Sequence, residues 1–329
     1  MRLAALLLLL ASPALASSAE DTTAVGALRA EAKVAAKLAA SAPGKEFLKA
    51  TGSLPHVSPR VVWVDSSRTH AWTEAEAKAL ADTTRARLIR REVDEFFYYN
   101  TRYGSPLAYL RPIEILAAHG LKKFDGVRLM DFGYGTAGHL RLMASLGADV
   151  VGVEVDPSLR ALYSQPGDQG KVGKGQLKLV DGQWPATDEV RAAAGGGFDV
   201  ILSKNTLKRG YIHPERPANP RMLVHLGVDD STYVARLHDA LKPGGYALIY
   251  NLSPAPSKPD QPYQPWSDGR CPFERGLLER AGFEVLAYDL DDGPAARALG
   301  HALGWDAGPR SMDLQNDLFA HATLLRRPL

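Results

Sequence analysis

A carboxylate followed by closely spaced glycines is the first feature of this sequence that points to ligand chemistry. Asp131 precedes Gly133, Gly135 and Gly138 at the end of an apolar stretch. Glycines at this spacing permit a tight turn and let a ligand approach the backbone closely. Glu154 lies 21 residues after Gly133 and ends the next apolar stretch. A carboxylate there can accept hydrogen bonds from both hydroxyls of a ribose, so the pattern predicts a nucleoside-containing ligand.

The glycine pattern alone permits either a nicotinamide dinucleotide or S-adenosylmethionine (SAM). Asp131 favours SAM, because a carboxylate facing the turn repels a pyrophosphate but attracts an amino group or a sulfonium. Asp181 and Gly182 end a third apolar stretch. A carboxylate there can accept from the exocyclic amine of adenine, and a glycine leaves its N–H accessible to the ring. The residues therefore predict a SAM site.

Alternating apolar and helical segments must position these residues. From Val127 onwards short apolar stretches alternate with helical patterns, which predicts a parallel sheet with crossover helices. The predicted strands number seven and span residues 127–131, 149–154, 176–180, 198–203, 246–252, 283–288 and 318–325.

The same region resembles the class I SAM-dependent methyltransferases in the order and spacing of its motifs. The motifs that carry this resemblance are 131–138, 152–156, 180–182, 198–202 and 241–245. The resemblance covers residues 125–329 and implies a Rossmann-like, doubly wound α/β sheet of seven strands, mostly parallel with an antiparallel last strand. It also implies methyl transfer with SAM as the cofactor.

The resemblance assigns roles to individual residues. Asp131 and the three glycines would face the methionine part of SAM, Glu154 the ribose, and Asp181 with Gly182 the adenine. Asn205, just after the fourth strand, falls where the family places residues near the reactive methyl group.

The acceptor side offers weaker candidates. Tyr211 and His213 follow the fourth strand and are the best candidates for a general base or an acceptor-orienting residue. The aromatic segment 96–103, above all Tyr99, Asn100, Arg102 and Tyr103, and the loop residues Tyr263, Trp266 and Asp268 are further pocket candidates. We expect these segments to converge above the carboxyl ends of the strands and to form a pocket for a small-molecule acceptor.

The residues before the sheet divide into two parts. Residues 1–16 combine one positive charge, a leucine-rich run and an Ala14–Ala16 end, which is the pattern of a signal peptide cleaved after Ala16. This predicts export to the periplasm or the medium, and a cytoplasmic protein if the peptide is not cleaved. Residues 17–124 predict a mainly helical extension, in which a capping box at Thr73 begins a helix that runs to about Tyr99.

Composition excludes several classes of function. The 329 residues carry a net charge of +2, which does not suit a nucleic-acid binder. The single cysteine, Cys271, has no partner for a disulfide or a metal site, and no later stretch is long and apolar enough to cross a membrane. Two alternatives to methyl transfer stay open at this point: a non-catalytic binding protein that kept the fold, and an enzyme of the same fold with another reaction such as aminopropyl transfer.

Overall fold

The computed structural model describes residues 22–100, 105–308 and 311–329. The predicted signal peptide, Arg102 and Tyr103 lie outside the described residues. The strands are β1 Arg60–Val64, β2 Ala71–Thr73, β3 Ile89–Val93, β4 Arg128–Phe132, β5 Asp149–Glu154, β6 Gly170–Val172, β7 Gly175–Asp181, β8 Phe198–Lys204, β9 Leu241–Ser253, β10 Glu284–Asp291 and β11 Phe319–Arg326. The helices are α1 Ala24–Ala35, α2 Ala42–Lys49, α3 Glu74–Ala79, α4 Asp82–Arg85, α5 Glu95–Tyr99, α6 Leu110–Ala118, α7 Gly138–Ser145, α8 Pro157–Leu162, α9 Asp188–Ala194, α10 Arg209–Ile212, α11 Asp230–Ala240, α12 Arg275–Arg280, α13 Gly293–Ala302 and α14 Leu314–Asp317.

The central sheet confirms the predicted fold class. Its eight strands have the order β10-β11-β9-β8-β4-β5-β7-β6. The five strands from β7 to β9 in this order run parallel, and β11 is antiparallel to both of its neighbours. All seven predicted strands are present. The sequence missed β6, a three-residue antiparallel strand that pairs with β7 and is too short to show a period of apolar residues.

The strand order reverses between β4 and β8, which places a ligand crevice at the carboxyl ends of these two strands. Each face of the sheet is covered by its own apolar layer. Leu129 and Val150 pack into one layer, and Met130 and Val151, their chain neighbours, pack into the other. Burial of each such side chain stabilises the fold by about 1.5–3 kcal/mol. The two layers hold the strand ends, and with them the site residues, in fixed positions.

The N-terminal extension contains a small sheet as well as helices, so the single helix predicted over residues 73–99 is wrong. The capping box at Thr73 is present, but α3 ends at Ala79. The segment from Ile89 to Val93 instead pairs with β1, which pairs with β2 on its other side. Pairing with a strand distant in sequence overrides the local helical preference of this segment.

Within the described residues, no helix combines the length and the apolar character needed to span a bilayer.

Candidate functional site

The glycine-rich loop joins β4 to α7 and takes a shape that its glycines permit. Gly133 and Gly135 have φ angles of +74° and +63°, which side chains with a Cβ rarely adopt. Gly138 serves packing instead, because a Cβ there would collide with the carbonyl oxygen of Tyr99 in the N-terminal extension. The extension therefore lies directly against the loop.

Hydrogen bonds hold the extension in this place. The Thr136 hydroxyl donates to the Tyr99 carbonyl at 3.2 Å, and the Tyr163 hydroxyl donates to the Tyr98 carbonyl at 2.7 Å. The Tyr98 hydroxyl donates to Asp168, which also accepts two hydrogen bonds from the Arg60 guanidinium at 2.6 and 2.9 Å. One wall of the crevice is thus built by residues that precede the central sheet by 29 positions or more.

Asp131 is fully buried and only half satisfied. Its Oδ2 accepts from the Tyr109 hydroxyl at 2.8 Å and lies 2.5 Å from Nε2 of His139. Because a carboxylate can only accept, His139 carries its proton on Nε2 in this pair. The Asp131 Oδ1 has no partner among the described residues. One carboxylate oxygen below the glycine-rich loop is therefore available to a cation.

His139 and Tyr109 complete this buried network. Their rings are stacked with centroids 3.6 Å apart. Burial lowers the pKa of His139, while the charge of Asp131 acts in the opposite direction. The lowered pKa favours the neutral ring of His139 near pH 7.

Glu154 is fixed at the end of β5 by backbone N–H groups. Its Oε2 accepts from Gly135 at 3.1 Å and its Oε1 from Val155 at 2.8 Å. Burial raises the pKa of Glu154, and these N–H groups lower it. Gly182, after β7, donates its N–H to the Glu154 carbonyl at 2.9 Å, which brings Asp181 and Gly182 to the same rim.

The amides of the glycine-rich loop are already used within the protein. The N–H of Gly135 goes to Glu154, that of Thr136 to the Tyr134 carbonyl, and that of Ala137 to the Tyr163 hydroxyl. A pyrophosphate site needs such N–H groups to be free for the ligand. With two carboxylates beside it, this loop suits a cationic ligand and not a dinucleotide.

Asn205 follows β8 and is bound to the neighbouring strand. Its side-chain oxygen accepts from the N–H of Leu252 at 2.7 Å, and its φ of +66° is left-handed. The next residue, Thr206, donates to the Gly133 carbonyl at 3.2 Å and fills the space beside that glycine. The loop after β8 therefore adjoins the glycine-rich loop, as predicted, while the Asn205 side chain itself holds the loop in shape.

The two predicted catalytic residues belong to the outer part of this loop. Nε2 of His213 lies 2.8 Å from Oδ2 of Asp230, the first residue of α11, and both side chains are partly exposed. The ring of Tyr211 lies 5.4 Å from the Lys208 ammonium. The catalytic roles of Tyr211 and His213 stay predictions.

The loops after β8 and β9 do meet. Gly210 donates to the Asp268 carbonyl at 3.2 Å and Arg209 to the Arg270 carbonyl at 2.8 Å. A cavity of about 430 Å³ opens beside them at the end of β9. Its lining includes Ser253, Arg216, Tyr263, Asp268 and Arg270.

Sequence reasoning missed two residues of the site. Tyr109 contacts Asp131, and Lys204 ends β8 with its ammonium 5.3 Å from the centre of the Tyr109 ring. Tyr109 carried no signal, because it belongs to a helical turn 22 positions before its partner. Lys204 did carry a sequence signal, since it is a charged residue at the end of an apolar strand next to the point where the strand order reverses. No group of His, Cys, Asp or Glu in the described ranges has an arrangement that could hold a metal ion.

Known proteins resemble the chain in part. No family model matches it. Ubiquinone biosynthesis O-methyltransferase of Cereibacter sphaeroides is 30% identical over 133 residues, which cover 40% of this chain and 44% of that protein. The chain thus spans less than half the length of this relative. The protein of the same name from Bartonella tribocorum is 27% identical over 189 residues, which cover 52% of this chain and 72% of that protein.

Among solved structures, a SAM-dependent methyltransferase from Mesorhizobium loti is similar, with 15% identity and a TM-score of 0.39 over 67% of this chain and 98% of that one. The strand order and the relatives named O-methyltransferase agree with the motifs read from the sequence. Over part of its length the chain is thus similar to proteins named as O-methyltransferases, in keeping with the resemblance to the class I SAM-dependent methyltransferases.

Proposed function

We propose that this chain is a SAM-dependent methyltransferase that acts on a small-molecule acceptor. The observation that carries the proposal is the state of the two carboxylates beside the glycine-rich loop. Among the described residues Asp131 has one buried oxygen without a partner, and Glu154 is held by the N–H of Gly135 in this loop and by that of Val155. These residues fit SAM, whose amino group and sulfonium are cationic and whose ribose offers two hydroxyl donors.

SAM, when bound, supplies a methyl group on an electrophilic sulfur. The residues of this chain hold it and align the acceptor, and alignment of this kind is worth about 7–11 kcal/mol in favourable cases. Asp131 would hold the amino group, and Glu154 the ribose hydroxyls. If the acceptor is protonated, Tyr211 or His213 would take its proton, and either residue would do so from beside the cavity at the end of β9, whose lining consists of other residues.

Small phenols are the first acceptors to test. The relatives are named O-methyltransferases, and the cavity at the end of β9 is lined by Tyr263, Arg216 and Arg270. A volume of about 430 Å³ suits a small molecule better than a polymer. A screen of phenols, amines and carboxylates with labelled SAM identifies the class of acceptor.

Calorimetry tests the cofactor assignment. We expect SAM and its demethylated product to bind at about −7 to −9 kcal/mol, in the micromolar range, and NAD not to bind. Glu154→Ala should weaken SAM binding at least about tenfold, because the ribose hydroxyls lose their acceptor. Glu279→Ala, at an exposed glutamate of α12 outside the proposed site, is the matched control and should leave the affinity unchanged. Equal affinity of Glu154→Ala and the unsubstituted protein for SAM would remove the ribose assignment.

The titration and the acceptor screen together separate methyl transfer from its alternatives. A protein that binds SAM tightly but methylates no acceptor in the screen favours a non-catalytic binding role. Transfer of an aminopropyl group from decarboxylated SAM would favour the other reaction.

Export is part of the proposal. Residues 1–16 have the composition of a signal peptide. N-terminal sequencing of protein from its native host should find Ser17 first, whereas an intact Met1 would place the protein in the cytoplasm.

A further inference from the structure

Lys204 stands at the crevice next to Asp131. It is the last residue of β8, which is paired in parallel with β4, the strand that carries Asp131. Its ammonium lies 5.3 Å from the centre of the Tyr109 ring, whose hydroxyl donates to Asp131. Two opposite charges thus lie among the last two residues of neighbouring strands, at the point where the strand order reverses.

Neither charge is fully used by the described part of the chain. Asp131 Oδ1 is buried without a partner, and no carboxylate of the described residues forms an ion pair with Lys204. Burial lowers the pKa of Lys204 to about 8, and the attraction of Asp131 opposes this shift. A partly desolvated cation without an ion-pair partner costs stability, and residues of this kind concentrate at functional sites.

Lys208, four positions later, shows what a structural lysine looks like in the same region. Its ammonium donates to the carbonyls of Leu252 and Trp266 at 2.6 and 3.3 Å. Lys208 therefore ties two loops to each other. Lys204 makes no such hydrogen bond among the described residues, and its partly exposed side chain is available to a ligand.

We propose that Lys204 binds the carboxylate at the amino-acid end of the cofactor while Asp131 Oδ1 holds the ammonium of the same group. The inference rests on the proposed function and adds a residue that fixes the methionine part. An amino acid carries both charges on one carbon, so an ammonium and a carboxylate side by side on adjacent strands match it charge for charge. Lys204 is thus a binding residue for the cofactor and not for the acceptor.

Two ligands that differ only in the amino-acid end test this. S-adenosylhomocysteine has it, and 5′-methylthioadenosine keeps the adenosine and the thioether but lacks it. In calorimetry with the full chain, Lys204→Met should weaken the affinity for S-adenosylhomocysteine at least about tenfold. The affinity for 5′-methylthioadenosine should change less than about twofold. Lys204→Arg should recover part of the lost affinity, because it restores the positive charge.

The matched control is Lys242→Met. Lys242 is exposed, pairs with Asp199 and lies at the opposite edge of the sheet, near the start of β9. Lys242→Met should leave the affinity for both ligands unchanged. If Lys204→Met does not fold, as judged by its thermal transition, Lys204→Gln takes its place with the same expected selectivity.

The outcomes are distinct. A loss of affinity for S-adenosylhomocysteine alone supports the proposal. An equal loss of affinity for both ligands overturns it and assigns Lys204 a role in general packing. Loss of methyl transfer with unchanged binding of S-adenosylhomocysteine also overturns it and assigns Lys204 a role at the acceptor. If the unsubstituted protein binds neither ligand, the proposed function itself fails.

Discussion

Two histidine–aspartate pairs lie on opposite halves of the sheet edge and differ in their access to water. His139 and Asp131 lie 2.5 Å apart with side chains 1% and 0% exposed, whereas His213 and Asp230 lie 2.8 Å apart and are 44% and 31% exposed. The first pair is sealed by the N-terminal extension and lies beside the glycine-rich loop; we call residues 131–145 and 154 with this extension the cofactor half. The second pair lies on the outer helix layer next to residues 205–216 and 253–271, which we call the acceptor half after the proposed function.

The same two residue types therefore form a pair that is essential to stability in one region and a pair that can be removed at little cost in the other. A buried carboxylate must be satisfied by protein or ligand, because water cannot reach it. An exposed pair has water as an alternative partner, so its loss costs little. We therefore expect the cofactor half to be rigid and sensitive to substitution, and the acceptor half to tolerate change.

The largest difference is expected when each aspartate is removed. Asp131→Ala leaves the Tyr109 hydroxyl and His139 without their shared acceptor and should lower the free energy of unfolding by about 1–3 kcal/mol for each of these two buried donors. Asp230→Ala should cost less than about 1 kcal/mol, since its pair is solvated. Urea unfolding measures both. Should Asp131→Ala fail to fold, Asp131→Asn keeps the shape and is expected to cost less; similar costs for both aspartates would contradict the comparison.

Glycine substitutions in the two halves should differ in their cost to stability, by a smaller amount than the aspartate substitutions. An added Cβ at Gly138 meets the Tyr99 carbonyl oxygen, whereas the nearest neighbour of one at Gly269, beside the cavity at the end of β9, is the Oγ of the Ser253 side chain at 3.0 Å. Gly138→Ala should cost about 1–3 kcal/mol, because the extension is held by buried hydrogen bonds and cannot move away. Gly269→Ala should cost less than about 1 kcal/mol, because a side chain can give by the few tenths of an ångström needed. A larger loss for Gly269→Ala in thermal unfolding would show that the acceptor half is the more rigid one.

The pH dependence of stability should come from His139. Burial lowers its pKa below the ordinary 6.5. At this residue the unfolded chain therefore binds more protons at acidic pH, so the contribution of His139 to stability is full above pH 6.5 and falls as the pH drops below it, by at most about 1.4 kcal/mol per pH unit. His139→Gln should remove this slope between pH 5 and 6.5, whereas His213→Gln should keep it. Identical slopes in the two variants would rule out His139 as the source.

The two halves also differ in how much of them the sequence predicted. The positions of Asp131, the glycines and Glu154 were predictable because they lie at or just after strand ends at fixed spacing, and adjacent parallel strands bring such ends together. The seven strands of the sheet were readable for the same reason, from their apolar runs. The predicted placement of Asp131 below the loop needed no knowledge of distant residues.

What the sequence did not predict depends on contacts between distant residues. Tyr109 reaches Asp131, and β3 pairs with β1 in place of the predicted helix. The loop 205–213 has no motif that tells which of its polar residues faces a ligand, so the Asp230 pairing of His213 was not foreseeable from spacing. Such contacts are set by tertiary packing, which overrides local preference.

The smallest expected effect concerns the rate at which each half opens. Cys271 lies in the acceptor half, directly after Arg270, where it is 2% exposed and its burial raises the pKa of the thiol to about 12. It can react with a thiol reagent only after the region around it opens, so its reaction rate reports the free energy of that local opening. Met143 in α7 is 0% exposed and lies in the cofactor half. Met143→Cys in a Cys271→Ser chain therefore supplies a matched reporter, and Cys271→Ser alone is the control that should not react.

We expect Cys271 to react about fivefold faster than the cysteine introduced at position 143, equivalent to about 1 kcal/mol in the free energy of opening. Equal rates would mean that both halves open together in one cooperative transition, and the contrast between the two histidine–aspartate pairs would then be one of hydration alone.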